Sequence, residues 1–280
     1  MSIAIQYCWN PALNKKNTTL KNHKMNFGLK SDALISELSN YLDIALDVVR
    51  TGSSEFNQNI LEYKRLEENL GKEVKLIADR ELNFVMLQKL KKLSSFNILS
   101  EENDEKVLNQ NDYNWILDPL DGSFNYLRGI PIYCISLGLW KGLEPVLGVI
   151  YDLTQNDIYH GIIGENAYKN KKKISVSSVN ISSDAVLCTG FPVNYSYSKD
   201  NVINFVNNVR NYKKIRLFGS AAMSLSFVAC GRVDAYIEDD IMIWDVAAGI
   251  AIVKAAGGQV NFTNGRLNNS LIVRATNNFL

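Results

Sequence analysis

The first part of the chain contains two segments in which apolar residues recur every three to four positions. Residues 32–50 place Leu34, Leu38, Leu42 and Val49 at this spacing, which predicts an amphipathic helix. Residues 79–92 predict a second helix, because acidic residues stand early in the segment and lysines late, as the helix dipole prefers. The segment between them, residues 52–75, is polar, and we expect a mobile connection there.

The middle of the chain changes to short β-prone runs separated by Gly, Pro or Asn, which predict strands. These runs are residues 96–99, 115–118, 135–140, 145–152, 157–163, 173–177 and 186–190. After residue 200, predicted helices at 201–212, 220–231 and 245–258 alternate with predicted strands at 214–218, 234–238, 259–262 and 270–277. The pattern indicates a layered α/β or α+β protein.

Length and charge limit what kind of protein this is. A chain of 280 residues with 46% hydrophobic and 21% charged residues suits one compact unit, which can have two lobes. The net charge of +1 argues against binding to a nucleic-acid polymer or to a membrane surface. Residues 1–25 are polar and basic without periodicity, so we expect a disordered leader followed by a single domain over 26–280.

The cysteines and histidines narrow the chemistry further. The four cysteines form no CxxC pair and three lie in apolar runs, which is typical of reduced thiols in a reducing compartment and predicts a cytoplasmic protein. The sequence contains no run of eighteen or more apolar residues, so it predicts no membrane span. His23 and His160 are the only histidines, so the chain has few residues from which a His-based zinc site or a Ser-His-Asp triad could be built. Acid–base or metal chemistry therefore falls mainly to carboxylates.

Residues 115–125, WILDPLDGSFN, are the first candidate for chemistry. An apolar strand ends at Asp118, Asp121 and Gly122 form a turn, and Ser123 begins a short helix whose free N–H groups could hold a phosphate. Two carboxylates this close raise each other's pKa unless a cation neutralises them, and oxygen ligands suit Mg²⁺. The residue types alone are explained as well by a turn, where Asp, Pro and Gly predominate.

Three further acidic positions carry a similar ambiguity. Asp245 precedes an apolar helix rich in small residues, where it could be an N-cap or a metal ligand. Glu101 follows the short strand at 96–99 and could face inward or belong to a solvated acidic loop. Asp79 opens the second predicted helix and could be a cap or a functional acid.

The joint order of these acids is more specific than any one of them. Residues 118–126, DPLDGSFNY, and residues 244–249, WDVAAG, resemble the two signatures of the inositol monophosphatase family, a branch of the lithium-sensitive, magnesium-dependent phosphatases. Residues 164–177 and 219–222 resemble its intermediate landmarks, so the likeness covers about residues 30–280. The resemblance implies an α+β fold, a layered αβαβα sandwich of the sugar-phosphatase type, and a homodimer.

The resemblance also implies roles for particular residues. Two or three Mg²⁺ ions would be bound by Glu101, Asp118, the Leu120 carbonyl, Asp121 and Asp245. The amides of Gly122 and Ser123 would hold phosphate, while Ser220, Ala221 and Glu238 would line the substrate pocket beside Asp121 and Asp245. Glu101 would serve the catalytic metal, and Ser123 with Asp79 would orient the attacking water.

Several positions depart from the family pattern. Ser123 replaces the commoner Thr, Ser100 replaces the usual Gly before Glu101, and residues 71–79 lack the common Val-Thr-x-Ala-Asp, which leaves the third metal and the nearby loop open. We predict hydrolysis of a small phosphorylated polyol or sugar, with inositol monophosphate as first choice. The alternatives are fructose-1,6-bisphosphatase or 3′-phosphoadenosine nucleotidase activity, or a catalytically weak relative that binds phosphate or a protein.

Overall fold

The computed structural model describes residues 32–70, 73–103, 107–191 and 197–280. The helices are α1 (Asp32–Gln58), α2 (Ile77–Leu93), α3 (Ser123–Arg128), α4 (Lys199–Val209), α5 (Ala221–Ala229) and α6 (Ile243–Ala255). The first strands are β1 (Leu66–Leu70), β2 (Glu73–Leu76), β3 (Asn97–Ser100), β4 (Tyr113–Asp121), β5 (Cys134–Lys141), β6 (Glu144–Asp152) and β7 (Asp157–Ile162). The others are β8 (Ala167–Lys169), β9 (Lys172–Ile174), β10 (Val186–Thr189), β11 (Lys214–Arg216), β12 (Ala235–Met242), β13 (Gln259–Asn264) and β14 (Ser270–Thr276).

Two sheets organise the described chain. Strands β3 to β9 follow one another in a seven-stranded sheet, in which β3 and β4 are parallel and the later neighbours are antiparallel. The five-stranded sheet has the order β11-β10-β12-β14-β13, with parallel pairing of β10 to β11 and β12 and antiparallel pairing at the other edge. Strands β1 and β2 form a separate antiparallel pair.

Helices cover and separate these sheets, which gives the predicted αβαβα order. Helices α1 and α2 pack on one face of the seven-stranded sheet, and α6 packs on the other. Helices α5 and α6 also contact the five-stranded sheet, whose far face is covered by Phe205 and Val209 of α4. The predicted layered α+β fold is confirmed.

Small residues allow helix α6 to lie very close to the seven-stranded sheet. A Cβ atom added to Gly148 on β6 would lie 2.1 Å from the carbonyl oxygen of Ala248 on α6. A Cβ atom on Gly249 would lie 2.5 Å from the side chain of Leu225 on α5. Since an added methyl group cannot fit at either place, the Gly- and Ala-rich sequence of α6 is explained by packing between the two sheets.

The expected mobile connection at residues 52–75 is wrong over much of its length. Helix α1 continues to Gln58 because Ser53 and Phe56 extend its buried face. The backbone then forms β1 and β2. The leader predicted at residues 1–25 lies outside the described residues.

Other boundaries also differ from the pattern-based expectation. The run at 173–177 is a strand only in its first part, and β8 was not anticipated. Strand β4 does not end at Asp118 but continues to Asp121 through a shift in register against β5. Pro119 lies within that shift, where its missing N–H does not interrupt regular pairing.

Candidate metal centre and substrate pocket

Two parallel strands bring Glu101 and Asp118 together. Strand β3 pairs with β4 so that Ser100 lies opposite Leu117, and the Glu101 amide donates to the Leu117 carbonyl at 3.2 Å. Because the two strands are parallel and in register, Glu101, directly after the end of β3, lies beside Asp118 of β4. Of the two alternatives for Glu101, the structure shows the inward-facing one, because its carboxylate lies beside that of Asp118.

Asp245 reaches the same edge from the opposite layer. Helix α6 begins at Ile243 after the N-cap residue Met242, so of the two alternatives for Asp245 the N-cap is wrong. Asp245 instead lies in the first turn of the helix, where the carbonyl of the preceding Trp244 accepts a hydrogen bond from Ser136 Oγ of β5 at 3.4 Å. One oxygen atom each from Glu101, Asp118 and Asp245 lies within 4.8 Å of the others.

Three acidic side chains meet in this carboxylate cluster, Glu101, Asp118 and Asp245. Burial, together with the charges of Glu101, Asp121 and Asp245, raises the pKa of Asp118 well above its usual value. Burial and the charges of Glu101 and Asp121 do the same to the pKa of Asp245. Groups repelled in this way are stabilised in their ionised form by a cation, and an all-oxygen donor set suits Mg²⁺.

Asp121 lies next to this cluster but is anchored to the other half of the molecule. Its Oδ2 atom accepts hydrogen bonds from Ser220 Oγ at 2.5 Å and from the Ala222 amide at 2.8 Å. Burial raises the pKa of Asp121 to about 6, although these donors favour its charged form. Ser220, which the sequence assigned to the substrate pocket, therefore also orients a predicted metal ligand.

The segment after Asp118 is shaped by short-range contacts. Asp118 Oδ1 accepts a hydrogen bond from the Leu120 amide at 2.9 Å. Gly122 has φ of 85°, and an added Cβ would lie 2.7 Å from the Ile132 carbonyl, so only glycine fits here. Ser123 begins helix α3 directly afterwards, as the sequence predicted.

Asp79, which the resemblance pairs with Ser123, lies in the first turn of helix α2. Asp79 Oδ2 accepts the Leu76 amide at 2.7 Å and so caps helix α2. The role predicted for Asp79 beside Ser123 stays a prediction. The negative charge of Asp79 acts on Tyr126 of helix α3. It adds to the rise in the pKa of this tyrosine, of which burial is the larger cause.

Ser100, the departure from the family pattern before Glu101, has a structural role. Its side chain is completely buried, and its hydroxyl donates to Asn83 Oδ1 of helix α2 at 2.7 Å. The replacement thus fixes the end of β3 to a helix.

A cavity of 310 Å³ opens beside the carboxylate cluster. Its lining includes the predicted residues Asp121, Ser220, Ala221, Glu238 and Asp245. Gly219, from the landmark at 219–222, also lines it, and the lining residues that the sequence did not single out are Thr189, Gly190, Phe191, Ser224, Asp240, Ile241, Met242 and Leu267. They come from chain segments far apart in sequence, so no local motif could have revealed them.

Glu238 forms one wall of this cavity. Its side chain is buried, and its Oε2 atom accepts a hydrogen bond from the Tyr236 hydroxyl at 2.8 Å. Burial raises the pKa of Glu238 to about 7; the Tyr236 hydrogen bond opposes this rise and the charge of Asp121 adds to it. Cys134 lies behind the opposite wall, with its Sγ atom 3.8 Å from Asp121 Oδ2.

The fold and the acidic site agree with the comparison to known proteins. A model of the inositol monophosphatase family matches residues 37–278. The chain therefore belongs to the inositol monophosphatase family, and the resemblance drawn from the sequence is confirmed.

Individual relatives carry different names. The Nus factor SuhB of Xylella fastidiosa is 38% identical over 185 residues, which cover 65% of this chain and 66%, just under two thirds, of that protein. A fructose-1,6-bisphosphatase/inositol-1-monophosphatase of Thermococcus kodakarensis is 32% identical over 81% of this chain and 86% of that protein. The first name is that of a Nus factor, and the second gives two phosphatase activities.

A solved structure supports the same assignment. The inositol monophosphatase from Anabaena aligns with a TM-score of 0.74 and 32% identity, covering 86% of this chain and 92% of that one. Family membership and this likeness support the predicted enzyme class, a phosphoric monoester hydrolase. Among the described helices, none is both long and apolar enough to cross a membrane.

Proposed function

We propose that this chain hydrolyses the phosphate monoester of a small polyol, with inositol monophosphate as the first candidate, in a reaction that depends on Mg²⁺. The observation that carries this proposal is the convergence of Glu101, Asp118 and Asp245 oxygens within 4.8 Å beside a cavity of 310 Å³. A family of phosphatases supplies the reaction class, and the acidic cluster supplies a place for the metal.

The donor set fits magnesium. The cluster offers carboxylate oxygens only, and the mutual repulsion of the buried acids is the condition that a divalent cation relieves. Glu101, Asp118, Asp121, Asp245 and the Leu120 carbonyl would hold the two or three ions. When bound there, Mg²⁺ would lower the pKa of an attacking water and stabilise charge on the leaving oxygen.

The chain's own groups would position the phosphate and the water. Gly122 and Ser123 stand at the start of helix α3, where backbone N–H groups have no partner within the helix and can donate to phosphate oxygens. The Ser123 hydroxyl would orient the attacking water. The buried carboxylate of Asp79 would assist in orienting this water.

The leaving alcohol would occupy the cavity beside the cluster. Ser220 and Ala221 stand at the start of helix α5, and Glu238 faces them from strand β12. A buried carboxylate is a strong acceptor for the hydroxyl groups of a polyol or sugar. The volume of 310 Å³ suits a single small ring.

The direct test is phosphate release from inositol 1-phosphate by the full chain, with Mg²⁺ and with EDTA. We expect activity only with Mg²⁺, and we expect Asp118→Asn to abolish it, because this residue is the buried centre of the cluster. Asp157→Asn is the matched control, since Asp157 pairs with Lys169 at 2.6 Å in strands outside the site. Normal turnover in EDTA, or in Asp118→Asn with Mg²⁺, would refute the proposal.

A second candidate substrate is fructose 1,6-bisphosphate. The Thermococcus kodakarensis relative bears both activities in its name, and it is aligned over most of its length. A side-by-side assay of inositol 1-phosphate, fructose 1,6-bisphosphate and a 3′-phosphonucleotide would rank the substrates by kcat/KM. If the enzyme prefers the bisphosphate, the proposed hydrolysis of a phosphate monoester stands, and the substrate is fructose 1,6-bisphosphate in place of inositol 1-phosphate.

Binding to a protein is the non-enzymatic candidate. It is suggested by the relative from Xylella fastidiosa, which is named a Nus factor. The clustered carboxylates favour the enzyme, since a surface that only binds protein has no need of three buried or half-buried acids in contact. The homodimer and the sensitivity to lithium are further predictions, which sedimentation and inhibition by Li⁺ would check.

A further inference from the structure

The Glu238 carboxylate is held between two residues that have no role in the site as assigned above. Tyr236 stands two positions earlier on strand β12, so its side chain lies on the same face of the sheet. Its hydroxyl donates to Glu238 Oε2 at 2.8 Å, and the tyrosine is 1% exposed. The phenol therefore reaches the cavity only through Glu238.

Gly190, which follows the neighbouring strand β10, lies directly against the Glu238 carboxylate. Strand β10 pairs with β12 so that Thr189 lies opposite Ile237, which brings Gly190 next to Glu238. A Cβ atom on Gly190 would lie 2.5 Å from Oε2 and 2.7 Å from Oε1 of Glu238. Any larger residue at position 190 would displace the carboxylate.

These contacts leave the two carboxylate oxygens in different situations. In the part of the chain that the structure describes, the Tyr236 phenol is the one hydrogen-bond donor to the Glu238 side chain. Burial, with the nearby charge of Glu238, raises the pKa of Tyr236 well above its ordinary value, so the phenol stays a donor at neutral pH. Oε2 is thus occupied, and Oε1 retains its capacity to accept.

We propose that Tyr236 is a positioning residue that fixes Glu238 so that Oε1 accepts a hydrogen bond from a hydroxyl group of the leaving polyol. This inference rests on the proposed function, because it assigns part of the same pocket. The triad of Tyr236, Glu238 and Gly190 then sets specificity. A substrate without the hydroxyl leaves a buried acceptor unpaired and is rejected.

The experiment compares two esters that share a phosphate and a six-membered ring, inositol 1-phosphate and cyclohexyl phosphate. The measured quantity is the ratio of their kcat/KM values for the full chain with Mg²⁺. We expect Tyr236→Phe, which keeps the ring, to lower this ratio about tenfold, mainly through a higher KM for inositol 1-phosphate. Gly190→Ala should lower it in the same direction by displacing the carboxylate.

A double-mutant cycle separates positioning from a general structural effect. In a Glu238→Ala background, Tyr236→Phe should change the ratio less than about twofold, because the residue through which it acts is gone. Tyr212→Phe is the control, since Tyr212 packs on the opposite face of the same sheet and is not a cavity residue.

The outcomes distinguish this inference from the proposed function. An unchanged ratio in Tyr236→Phe, or a fall that persists in the Glu238→Ala background, would overturn the role of Tyr236 while leaving the phosphatase intact. If the wild-type chain releases phosphate from neither ester with Mg²⁺, the proposed function fails and this inference fails with it.

Discussion

The hydroxyl of Ser220 donates a 2.5 Å hydrogen bond to Oδ2 of Asp121, although 99 positions separate the two residues. Asp121 ends strand β4 of the seven-stranded sheet, and Ser220 caps helix α5, which packs against the five-stranded sheet. The bond therefore joins the two sheet layers at the carboxylate cluster. The site is complete only when both layers are in place.

This relationship predicts the effect of Ser220→Ala. Hydrogen bonds to charged groups contribute about 1.5–3 kcal/mol, so we expect kcat/KM to fall roughly 10- to 100-fold and the Mg²⁺ requirement to rise. The cap to the Met223 amide is lost as well, at a cost of about 1 kcal/mol in unfolding free energy. Steady-state kinetics over a range of Mg²⁺ concentrations and urea unfolding measure the two effects separately.

The matched control for this prediction is Ser226→Ala. Ser226 is also buried in helix α5, but its hydroxyl donates to the Ala222 carbonyl and not to the site. It should retain its kinetics. Equal losses in the two variants would mean that helix α5, and not the bond to Asp121, is responsible.

Removal of the metal should lower stability. The folded chain holds Asp118 and Asp245 in an environment that disfavours their charged forms, and a cation that binds only the folded state relieves this. At Mg²⁺ about 100-fold above its Kd, the gain is about 2.7 kcal/mol, or a rise in Tm of about 5 °C for a chain of this size. Calorimetry with Mg²⁺ and with EDTA measures it.

Two variants test whether the cluster is responsible for this rise. Asp118→Asn should abolish the Mg²⁺-dependent change in Tm, and its metal-free form should be no less stable than the metal-free wild type, because a repelled charge is removed. Asp157→Asn, outside the cluster, should keep the full rise. A Tm that responds to Mg²⁺ in Asp118→Asn as it does in the wild type would place the metal elsewhere.

Local pattern predicted most of the fold because burial imposes periodicity on each element separately. It failed where the signal is spread over a longer element. The stretch after Arg50 is polar on average, yet Ser53 and Phe56 continue the buried face of α1 into residues expected to be mobile. Strand β8 is only three residues long, which is too short to show a period.

The acids of the site were found from their order along the chain, but their contacts were not. Asp245 had the sequence context of an N-cap, and the helix in fact begins two residues earlier. Two contacts depend on how the two sheets and their helices pack together. They are the hydrogen bond between Asp121 and Ser220 and the close approach of Gly190 to Glu238. Such long-range approaches leave no periodic trace in one sequence. Tyr236 and Glu238 share one face of strand β12 through their i, i+2 spacing, but their hydrogen bond was not predicted either.

The close approach of helix α6 to β6 predicts that Gly148→Ala is strongly destabilising. The added Cβ would meet the Ala248 carbonyl at 2.1 Å, and a backbone atom cannot move aside as a flexible side chain can. We expect a loss of about 3 kcal/mol, at the upper end of overpacking costs, measured by urea denaturation.

Gly257→Ala provides the contrast for that measurement. Gly257 has φ of 91° with nothing within 4 Å of an added Cβ, so only backbone strain of about 1–2 kcal/mol applies. If Gly148→Ala costs no more than Gly257→Ala, the helix does not approach the sheet as closely as described.

Asp240 lies at the rim of the cavity, and we expect its contribution to the free energy of unfolding to depend on pH. It lies in the left-handed region at φ of 58°, and its two carboxylate oxygens accept the Arg266 amide and guanidinium, each at 2.6 Å. This fixes the loop that carries Leu267, a cavity residue. Asp240→Asn suits the same backbone conformation, so we expect a loss of about 1–2 kcal/mol and a higher KM without a large change in kcat.

The pKa of Asp240 gives the sign of the pH dependence. Burial opposes its ionisation, but the Arg266 amide and guanidinium outweigh burial and lower the pKa below its ordinary value. A lowered folded-state pKa stabilises the protein above the unfolded pKa of about 3.9, and this contribution is lost as the pH falls through the folded value. The difference in unfolding free energy between the wild type and Asp240→Asn should therefore be constant from about pH 5.5 to 8 and shrink below about pH 4. Urea denaturation across this range measures it, and a difference as large at pH 3 as at pH 7 would show that the charge of Asp240 does not stabilise the loop.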